Sequence, residues 1–240
     1  MGKHMIENML IERASAMGIE MTAEQAGQFG IYHEMLAEAN GRMNLTRVPG
    51  DESEAADRNY LYCIAVLAGE FPKAETAVDV GSGAGFPGIP LAIMLPHTRF
   101  TLIDALGKRV DFLRRVIDAL GLNAEALHLR AEDAARRDDL RERFDLATAR
   151  AVAPMNVLCE YLLPLTRVGG HALALKGPGL DEELVLAGNA VALLGGEVER
   201  VVPLEIPGRD WDHRAVWLRK RAPTPDRYPR RAGVAEKRPL

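Results

Sequence analysis

Thr76-Ala-Val-Asp-Val-Gly-Ser-Gly-Ala-Gly-Phe-Pro-Gly-Ile-Pro90 is the most informative segment of this 240-residue chain. Val78–Val80 has the apolar character of a buried strand, a glycine turn follows at 81–85, and the apolar run 89–95 predicts a helix. Glycines at alternate positions permit positive φ and let a ligand approach bare backbone. A strand, a glycine turn and a helix in this order predict the nucleotide-binding corner of a doubly wound α/β sheet.

The spacing of the glycines distinguishes between cofactors. A dinucleotide fingerprint needs glycine at the first, third and sixth positions of the turn, and the sixth position here is Phe86. Its ring would occupy the place where a pyrophosphate approaches, so we exclude a dehydrogenase. The pattern Asp79-x-Gly81-x-Gly83-x-Gly85 resembles the first motif of the class I methyltransferases, whose cofactor S-adenosylmethionine carries no phosphate. A structural turn without a ligand is the alternative for a glycine turn taken alone.

Composition places the chain among ordinary globular proteins. Hydrophobic residues make up 48% and charged residues 27% of the sequence. No apolar run reaches the length of a membrane span, and the N-terminus lacks the apolar core of a signal peptide. Two cysteines, Cys63 and Cys159, suit a reducing compartment and are too few for a four-ligand metal site. We therefore expect a cytoplasmic protein without a metal or a membrane partner, and a monomer.

The charge is distributed unevenly. Residues 214–240 carry nine Lys or Arg against Asp226 and Glu236, whereas the remainder carries 21 basic and 32 acidic residues. This asymmetry favours a basic C-terminal end that meets a polyanion. Four prolines in the same stretch favour equally a solvated, partly disordered tail.

The order of predicted elements indicates one α/β domain with an N-terminal extension. Helical spacing over 5–17 and 22–36 predicts two helices, and 57–68 predicts a third. Thr22, with Gln25 three residues later, predicts a capping box at the start of the second helix, whose apolar stripe, including Tyr32, we assign to core packing. Gly121 predicts the end of a helix over 108–120. Strands and helices then alternate, which predicts a mainly parallel sheet of seven strands, and a hairpin near Pro207-Gly208 would make the last strand antiparallel. We divide the chain into an N-terminal extension with a substrate-side loop (1–56), a methyltransferase domain (57–221) and a basic proline-rich tail (222–240).

The carboxyl ends of three predicted strands carry candidate cofactor residues, because ligands of open α/β sheets lie beyond these ends. Asp104 closes the second strand, where a carboxylate accepts hydrogen bonds from ribose hydroxyls; a helix cap is the alternative. Ala131 and Glu132 follow the third strand, where an adenine ring would lie, although Glu132 and Asp133 are also typical of a helix start. Arg150 closes the fourth strand and faces the cofactor carboxylate or a substrate phosphate; a surface ion pair is the alternative.

The polar stretch Asn40–Arg47 is a candidate substrate loop. It contains Arg42, Asn44 and Arg47 beside a nucleotide fold, although a plain connector has a similar composition.

Two catalytic devices are absent from the sequence. The Asn- or Asp-Pro-Pro-aromatic run of exocyclic-amine methyltransferases does not follow the fourth strand. A nucleophilic cysteine, which a carbon-5 pyrimidine methyltransferase needs, is not indicated either, because Cys159 lies in an apolar helix typical of a buried inert thiol. A nucleophile without a proton, such as guanine N7, needs neither device, because positioning supplies most of the acceleration.

A series of motifs occurs in a fixed order along the chain. The segments are Asn44-Leu45-Thr46, Asp79 to Pro90, Gly107-Lys108-Arg109-x-x-Phe112-Leu113, Arg150-Ala151, Ala174-Leu175-Lys176-Gly177 and Pro207-Gly208 through Arg214. Together they resemble one family, the bacterial small-subunit ribosomal RNA guanine-N7 methyltransferases G, also called glucose-inhibited division protein B. The resemblance covers roughly residues 28–220, and its most specific parts are the Asn-Leu-Thr loop and the Gly-Phe-Pro-Gly-Ile-Pro extension of the glycine turn.

The resemblance implies a class I methyltransferase fold, S-adenosylmethionine as cofactor, and a guanine N7 in the decoding-region loop of 16S ribosomal RNA as target. Carried over by position, the implied cofactor contacts are Gly81, Phe86, Ala131, Glu132 and Arg150. We add Gly83 and Gly85 from the turn and Asp104 for the ribose. The RNA-side candidates are Arg42, Asn44, Arg47, Lys108, Arg109, Lys176 and Arg214.

The sequence departs from the family in two places. Residues 58–63 read Arg-Asn-Tyr-Leu-Tyr-Cys, where the family usually has a His and an Asp-Ser pair, and Ala39 stands where a Trp is common. These departures bear on the target nucleotide more than on the cofactor. Two alternatives stay open on the sequence: methylation of a small molecule or protein, and a non-catalytic RNA-binding module that keeps the fold.

Overall fold

The structure, a computed structural model, describes residues 5–43 and 51–240. The chain begins with helices α1 (Met5–Ala16) and α2 (Ala23–Met43). The predicted capping box is confirmed at the start of α2: the Gln25 amide N–H donates to Thr22 Oγ1 (3.2 Å), and the Thr22 amide N–H donates to Gln25 Oε1 (2.9 Å).

The end of α2 differs from the prediction, because residues 40–43 are helical rather than part of a loop. The low helix propensities of Asn40 and Gly41 indicated an earlier end. Ala39 is buried in the hydrophobic core, and this packing outweighs the local preference.

A helical segment of changing pitch follows where one regular helix was expected. It consists of α3 (Glu52–Ala55), a π-helical turn (Ala56–Leu61), α4 (Tyr62–Ile64) and a 3₁₀ turn (Ala65–Ala68). Wide π turns occur often at functional sites. This turn and the residues after it place Tyr60, Tyr62 and Cys63 in the hydrophobic core, where all three are buried.

The central sheet has seven strands in the order β3-β2-β1-β4-β5-β7-β6. All neighbouring pairs are parallel except those that β7 forms with β5 and β6, so the predicted topology class and the antiparallel last strand are confirmed. The strand order reverses between β1 and β4, which is where ligands bind in open α/β sheets. The strands are β1 (Thr76–Val80), β2 (Arg99–Asp104), β3 (Ala124–His128), β4 (Phe144–Arg150), β5 (Thr166–Lys176), β6 (Gly196–Pro203) and β7 (Arg214–Lys220).

Helices cover both faces of the sheet and form two hydrophobic cores. The first core lies under α1, α2, the π turn, α5 (Gly88–Met94) and α6 (Gly107–Leu120). The second lies under α7 (Ala131–Ala134), α8 (Met155–Leu162), α9 (Leu180–Leu193) and α10 (Val234–Lys237). Gly121 ends α6 in the left-handed conformation at φ 60°, as its sequence position predicted.

Residues 222–240, here called the C-terminal segment, pack against the second core. Tyr228 and Ala235 are buried, and the Arg141 guanidinium donates to the carbonyl oxygens of Tyr228 (2.8 Å) and Thr224 (2.8 Å). Arg230 pairs with Glu160 of α8, with 2.6 Å between Nη2 and Oε2. Part of the positive charge concentrated at this end of the chain is therefore paired within the molecule.

Within the described ranges, no helix has both the length and the apolar character that crossing a bilayer requires.

Candidate functional site

The glycine turn after β1 leaves open space at one of its three glycines. Gly81, Gly83 and Gly85 all have positive φ (68°, 59° and 111°). A Cβ at Gly81 would lie 2.9 Å from Val152 Cγ2, and one at Gly85 would lie 2.6 Å from Ile89 Cγ1, so these two glycines are required by packing. At Gly83 the nearest atom to such a Cβ is the Gly81 carbonyl oxygen at 3.9 Å. The open side of Gly83 is where bare backbone is accessible to a ligand.

The turn is held from below by the second strand and by helix α2. The amides of Gly81 and Ser82 donate to the Ile103 carbonyl oxygen at 2.9 and 3.1 Å. The buried Tyr32 hydroxyl donates to the Ala84 carbonyl oxygen at 2.7 Å. Sequence reasoning assigned Tyr32 to core packing and missed this support, because a contact across 52 residues leaves no local signal.

Asp104 lies directly beside the open glycine. Its Oδ2 accepts a hydrogen bond from the Gly83 amide (2.9 Å), and its Oδ1 accepts one from the Leu106 amide (2.9 Å). Leu106 precedes α6, so the carboxylate also satisfies backbone at that helix start. Arg109, a predicted RNA-side residue, reaches the same carboxylate, with 3.5 Å between Nη1 and Oδ2. The structure thus brings Asp104 and the glycine turn together.

Asp79 supplies a second carboxyl group beneath the turn. It is fully buried; Oδ2 accepts a hydrogen bond from the Gly88 amide (3.1 Å), and Oδ1 has no hydrogen-bond partner. Burial raises the pKa of Asp79 to about 7, against the lowering effects of the Gly88 amide and of the nearby Ser82 hydroxyl, which donates to the Asp79 backbone carbonyl oxygen (3.0 Å). A buried carboxyl group that has a pKa near 7 and one unpaired oxygen favours a cationic neighbour, because a positive charge stabilises its ionised form.

These features fit S-adenosylmethionine, the cofactor expected from the sequence. S-adenosylmethionine combines a cationic methionine end with ribose hydroxyls. The glycine turn together with Asp79 and Asp104, here called the glycine corner, offers an accessible backbone at Gly83, the carboxylate of Asp104 and the unpaired oxygen of Asp79. When bound, the cofactor supplies an electrophilic methyl group on a sulfonium.

Arg150 closes β4 in an aromatic setting rather than in an ion pair. Its guanidinium lies 4.8 Å from the ring centroid of Tyr62 and 5.3 Å from that of Phe86, and Nη1 lies 3.1 Å from Cys63 Sγ. Among the residues that the structure describes, no carboxylate forms an ion pair with it. Burial raises the pKa of Cys63 to about 11, so this sulfur stays a thiol at neutral pH.

The residue after Arg150 has an unusual backbone. Ala151 has a φ of 54°, which costs a non-glycine residue about 1–2 kcal/mol. Such outliers cluster at ligand sites, and this one turns the chain away from β4 immediately beyond the guanidinium. Neither the strained alanine nor the contacts of Tyr62 and Cys63 were predicted, since no sequence pattern marks them.

Ala131 and Glu132 begin α7 immediately after β3. The end of β3 is tied to the end of β2, because the Leu129 amide donates to the Asp104 carbonyl oxygen (3.2 Å). Ala131 is half-buried, and Glu132 is buried with its Oε1 accepting a hydrogen bond from the Gly233 amide (2.9 Å). The strand ends therefore align Gly81, Asp104 and Ala131 along one edge of the sheet.

Apart from Arg109, which lies beside Asp104, the RNA-side candidates fall into three groups. Asn44, Arg47 and the side chain of Arg42 lie outside the described residues. Lys108 is exposed at the start of α6. Lys176 and Arg214 lie at the carboxyl end of β5 and the start of β7, and each is held by acidic residues of α9: Lys176 Nζ lies 2.6 Å from Glu183 Oε2, and Arg214 Nη1 lies 2.8 Å from Asp181 Oδ1.

An aromatic and cationic surface that the sequence did not predict lies between these groups and Arg150. The His213 ring lies 4.3 Å from Tyr62, and the Arg58 guanidinium lies 4.7 Å from the Trp211 ring. Trp211 and His213 belong to the loop between β6 and β7, which lines a cavity of about 960 Å³. Arg214 is the one predicted site residue within the described ranges that lines this cavity, so the cavity is separate from the glycine corner.

Comparison with known proteins agrees with this geometry. The model of the family "rRNA small subunit methyltransferase G" (GidB) matches residues 25–210. A ribosomal RNA small subunit methyltransferase G of Clostridium perfringens is 43% identical over 97% of this chain and 98% of its own length. That of Lactobacillus johnsonii is 46% identical over 93% and 95%.

A solved structure supports the fold. A TehB-like SAM-dependent methyltransferase from Corynebacterium glutamicum superposes with a TM-score of 0.52 at 16% identity, covering 79% of this chain and 99% of that chain. The matched family model, the near-complete overlap with the two relatives and the glycine corner lead to one conclusion. The chain belongs to the rRNA small subunit methyltransferase G family.

Proposed function

We propose that this protein is an S-adenosylmethionine-dependent methyltransferase that methylates N7 of a guanine in 16S ribosomal RNA. It acts as a cytoplasmic monomer, on free RNA or on the small ribosomal subunit. Its family membership supports ribosomal RNA as the substrate class. The sequence Ala149-Arg150-Ala151 at the end of β4, in place of an Asn- or Asp-Pro-Pro-aromatic run, supports an acceptor nitrogen that has no proton to lose.

We propose a role for each residue around the glycine turn. Gly81, Gly83 and Gly85 admit the cofactor, with Phe86 closing the turn. Asp104 holds the ribose, and Ala131 with Glu132 borders the adenine. Arg150 orients either the cofactor carboxylate or a substrate phosphate. On the RNA side we propose Arg42, Asn44, Arg47, Lys108, Arg109, Lys176 and Arg214.

One observation carries the proposal: the open side of Gly83 lies next to the Asp104 carboxylate, with 2.9 Å between the Gly83 amide nitrogen and Oδ2. A Cβ at position 83 would enter the ligand space without meeting any protein atom closer than 3.9 Å. Gly83→Asp therefore blocks the site and places a second negative charge beside Asp104. Because the position has a φ of 59°, some loss of stability accompanies the change.

The test is transfer of labelled methyl to small ribosomal subunits, and to bare RNA, from cells that lack the modification. Cleavage at N7-methylguanine maps the labelled base. Gly83→Asp is compared with Gly188→Asp, which adds the same side chain at an exposed position of α9 with nothing within 4 Å. Thermal unfolding of both variants separates a blocked site from a lost fold.

Label at one guanine N7, lost only in Gly83→Asp, is the expected result. Cofactor binding by calorimetry without any labelled RNA would overturn the substrate and point to a small-molecule or protein acceptor. Absence of cofactor binding in the wild type would overturn the enzyme proposal and leave an RNA-binding module.

A further inference from the structure

The C-terminal segment reaches the proposed adenine end of the site. The Gly233 amide donates a hydrogen bond to Glu132 Oε1 over 2.9 Å, joining residues 101 positions apart in the sequence. Glu132 is buried, with 5% of its surface exposed, and it directly follows Ala131, against whose backbone we place the adenine ring. A charge-assisted bond of this kind orients a carboxylate and leaves its other acceptor positions available.

The segment is firmly held in this position by contacts on both sides of Gly233. Before it, Glu160 accepts hydrogen bonds from Arg230 at its amide (2.6 Å), Nε (3.0 Å) and Nη2 (2.6 Å), and Glu160 is almost completely buried. After it, Ala235 is buried against the second core. The amide of Gly233 is therefore a fixed donor rather than the end of a loose tail.

We propose that the C-terminal segment is part of the cofactor-binding corner, in which Gly233 is a positioning residue that orients the Glu132 carboxylate and so increases affinity for the adenosine end of S-adenosylmethionine. This inference rests on the proposed function, because it takes the cofactor and the place of its adenine from there. It assigns a role in the site to a residue that lies 101 positions beyond Glu132.

Coupling between two sites is reciprocal: if docking of the segment strengthens cofactor binding, the bound cofactor strengthens docking by the same factor. Arg227 and Arg231 are exposed arginines of the segment and provide sites for trypsin. A ligand in the corner is therefore expected to slow cleavage at these two residues, which gives a measurement independent of activity.

The variant that tests the inference is Gly233→Ala. Gly233 has a φ of 76°, and an added methyl group would have no other atom within 4 Å, so the change strains the backbone that presents the amide without creating a clash. Gly18→Ala is the matched control, because Gly18 has a φ of 75°, the same open surroundings and a position beyond α1, on the other face of the sheet. We expect both variants to lose similar local stability, because both positions have the same left-handed φ and open surroundings.

The probe is S-adenosylhomocysteine, measured by calorimetry. We expect Gly233→Ala to weaken its binding about fivefold, since part of a hydrogen bond to a charged group is lost. Gly18→Ala is expected to bind as the wild type does. In steady-state kinetics KM for the cofactor rises in Gly233→Ala while kcat at saturation is retained, and the probe protects Arg227 and Arg231 from trypsin more in the wild type than in this variant.

Wild-type affinity in Gly233→Ala, or an equal loss in both variants, would overturn the inference and leave the segment a purely structural element. Failure of the wild type to bind S-adenosylhomocysteine would instead overturn the proposed function. The two failures are thus distinguished by the wild-type measurement alone.

Discussion

At the scale of single residues, burial changes the acid–base chemistry of Asp79. Burial raises its pKa to about 7 from an ordinary value of 3.8. Between these values the native carboxyl holds a proton that the unfolded chain has released. The free energy of unfolding therefore falls as pH rises through this window, and the contribution of Asp79 stays constant above it.

The change Asp79→Asn tests this pH dependence, because the amide imitates the protonated acid and retains an acceptor for the Gly88 amide. Relative to the wild type, we expect the variant to gain about 3 kcal/mol of stability between pH 4 and pH 8. Denaturant unfolding at both pH values measures the gain. Asp111→Asn, at an exposed carboxyl of α6, controls for the loss of one charge. A stability difference that is the same at both pH values would contradict the raised pKa.

The interactions of Arg150 depend on the planar shape of its guanidinium as well as on its charge. A guanidinium stacks on aromatic faces, which an ammonium does less well, and Arg150 has the rings of Tyr62 and Phe86 within 4.8 and 5.3 Å. If these rings orient it toward the cofactor, lysine is a poor replacement.

We therefore expect Arg150→Lys and Arg150→Ala each to weaken S-adenosylhomocysteine binding about tenfold or more in calorimetry. Arg115→Lys is the control, since Arg115 lies over the Phe112 ring (5.9 Å) on α6, away from the corner. Wild-type affinity in Arg150→Lys would show that a positive charge alone is sufficient.

At the scale of elements, the π turn is held by a buried carboxylate that joins three parts of the chain. Asp57 is fully buried and pairs with Arg13 of α1 and with Arg209 of the β6–β7 loop (2.6 Å from Nε to Oδ2). Ser53 Oγ accepts further hydrogen bonds from both arginines. Tyr62, which directly follows the turn, packs against Arg150, so this cluster supports one wall of the candidate site.

Removing the Asp57 charge is expected to destabilise the fold. We predict that Asp57→Asn lowers the free energy of unfolding by about 2–3 kcal/mol, less than for a fully buried pair because both arginines stay partly hydrated. Glu54→Gln breaks the exposed pair with Arg58 on the same segment and should cost about 0.5 kcal/mol or less. Urea unfolding compares the two, and an equal small effect would show that the cluster does not hold the π turn.

At the scale of the whole molecule, the C-terminal segment closes the second face of the sheet. The basic residues at this end do not form a free tail: Arg230 pairs with the buried Glu160, and Arg221, just before the segment, lies 2.6 Å from Glu197. Lys220 is buried with its Nζ donating to the carbonyl oxygens of Leu163 and Leu194 (2.9 Å each). Much of the basic charge at this end thus serves folding.

The ion pair between Arg230 and Glu160 is more deeply buried than the ion pair between Arg221 and Glu197. Arg230→Ala leaves a carboxylate with 1% of its surface exposed without its partner, so we expect a loss of about 3 kcal/mol in the free energy of unfolding. Arg231→Ala, its exposed neighbour, should change stability by about 0.5 kcal/mol or less. A loss below about 1 kcal/mol in Arg230→Ala, measured by urea unfolding, would mean that the segment does not stabilise the fold through this pair.

The sequence by itself determined the fold class, the parallel sheet with its antiparallel last strand, the glycine turn and the cap residues Thr22 and Gly121. These features arise from local signals: strand and helix periodicity, and the conformations that only glycine adopts without strain. It also placed Asp104, because the end of the second strand must lie beside the turn in any sheet of this class.

Only the tertiary structure decided what surrounds those residues. It brought Tyr32 under the turn, gave Arg150 its aromatic setting, paired Asp57 with two arginines and joined Gly233 to Glu132. The hydrogen bonds among these groups connect positions that are 44 to 152 residues apart. Contacts of this kind leave no periodic or local pattern, because each depends on how whole elements pack together. The end of α2 follows the same rule, since the packing of Ala39 outweighed the local preference of the residues after it.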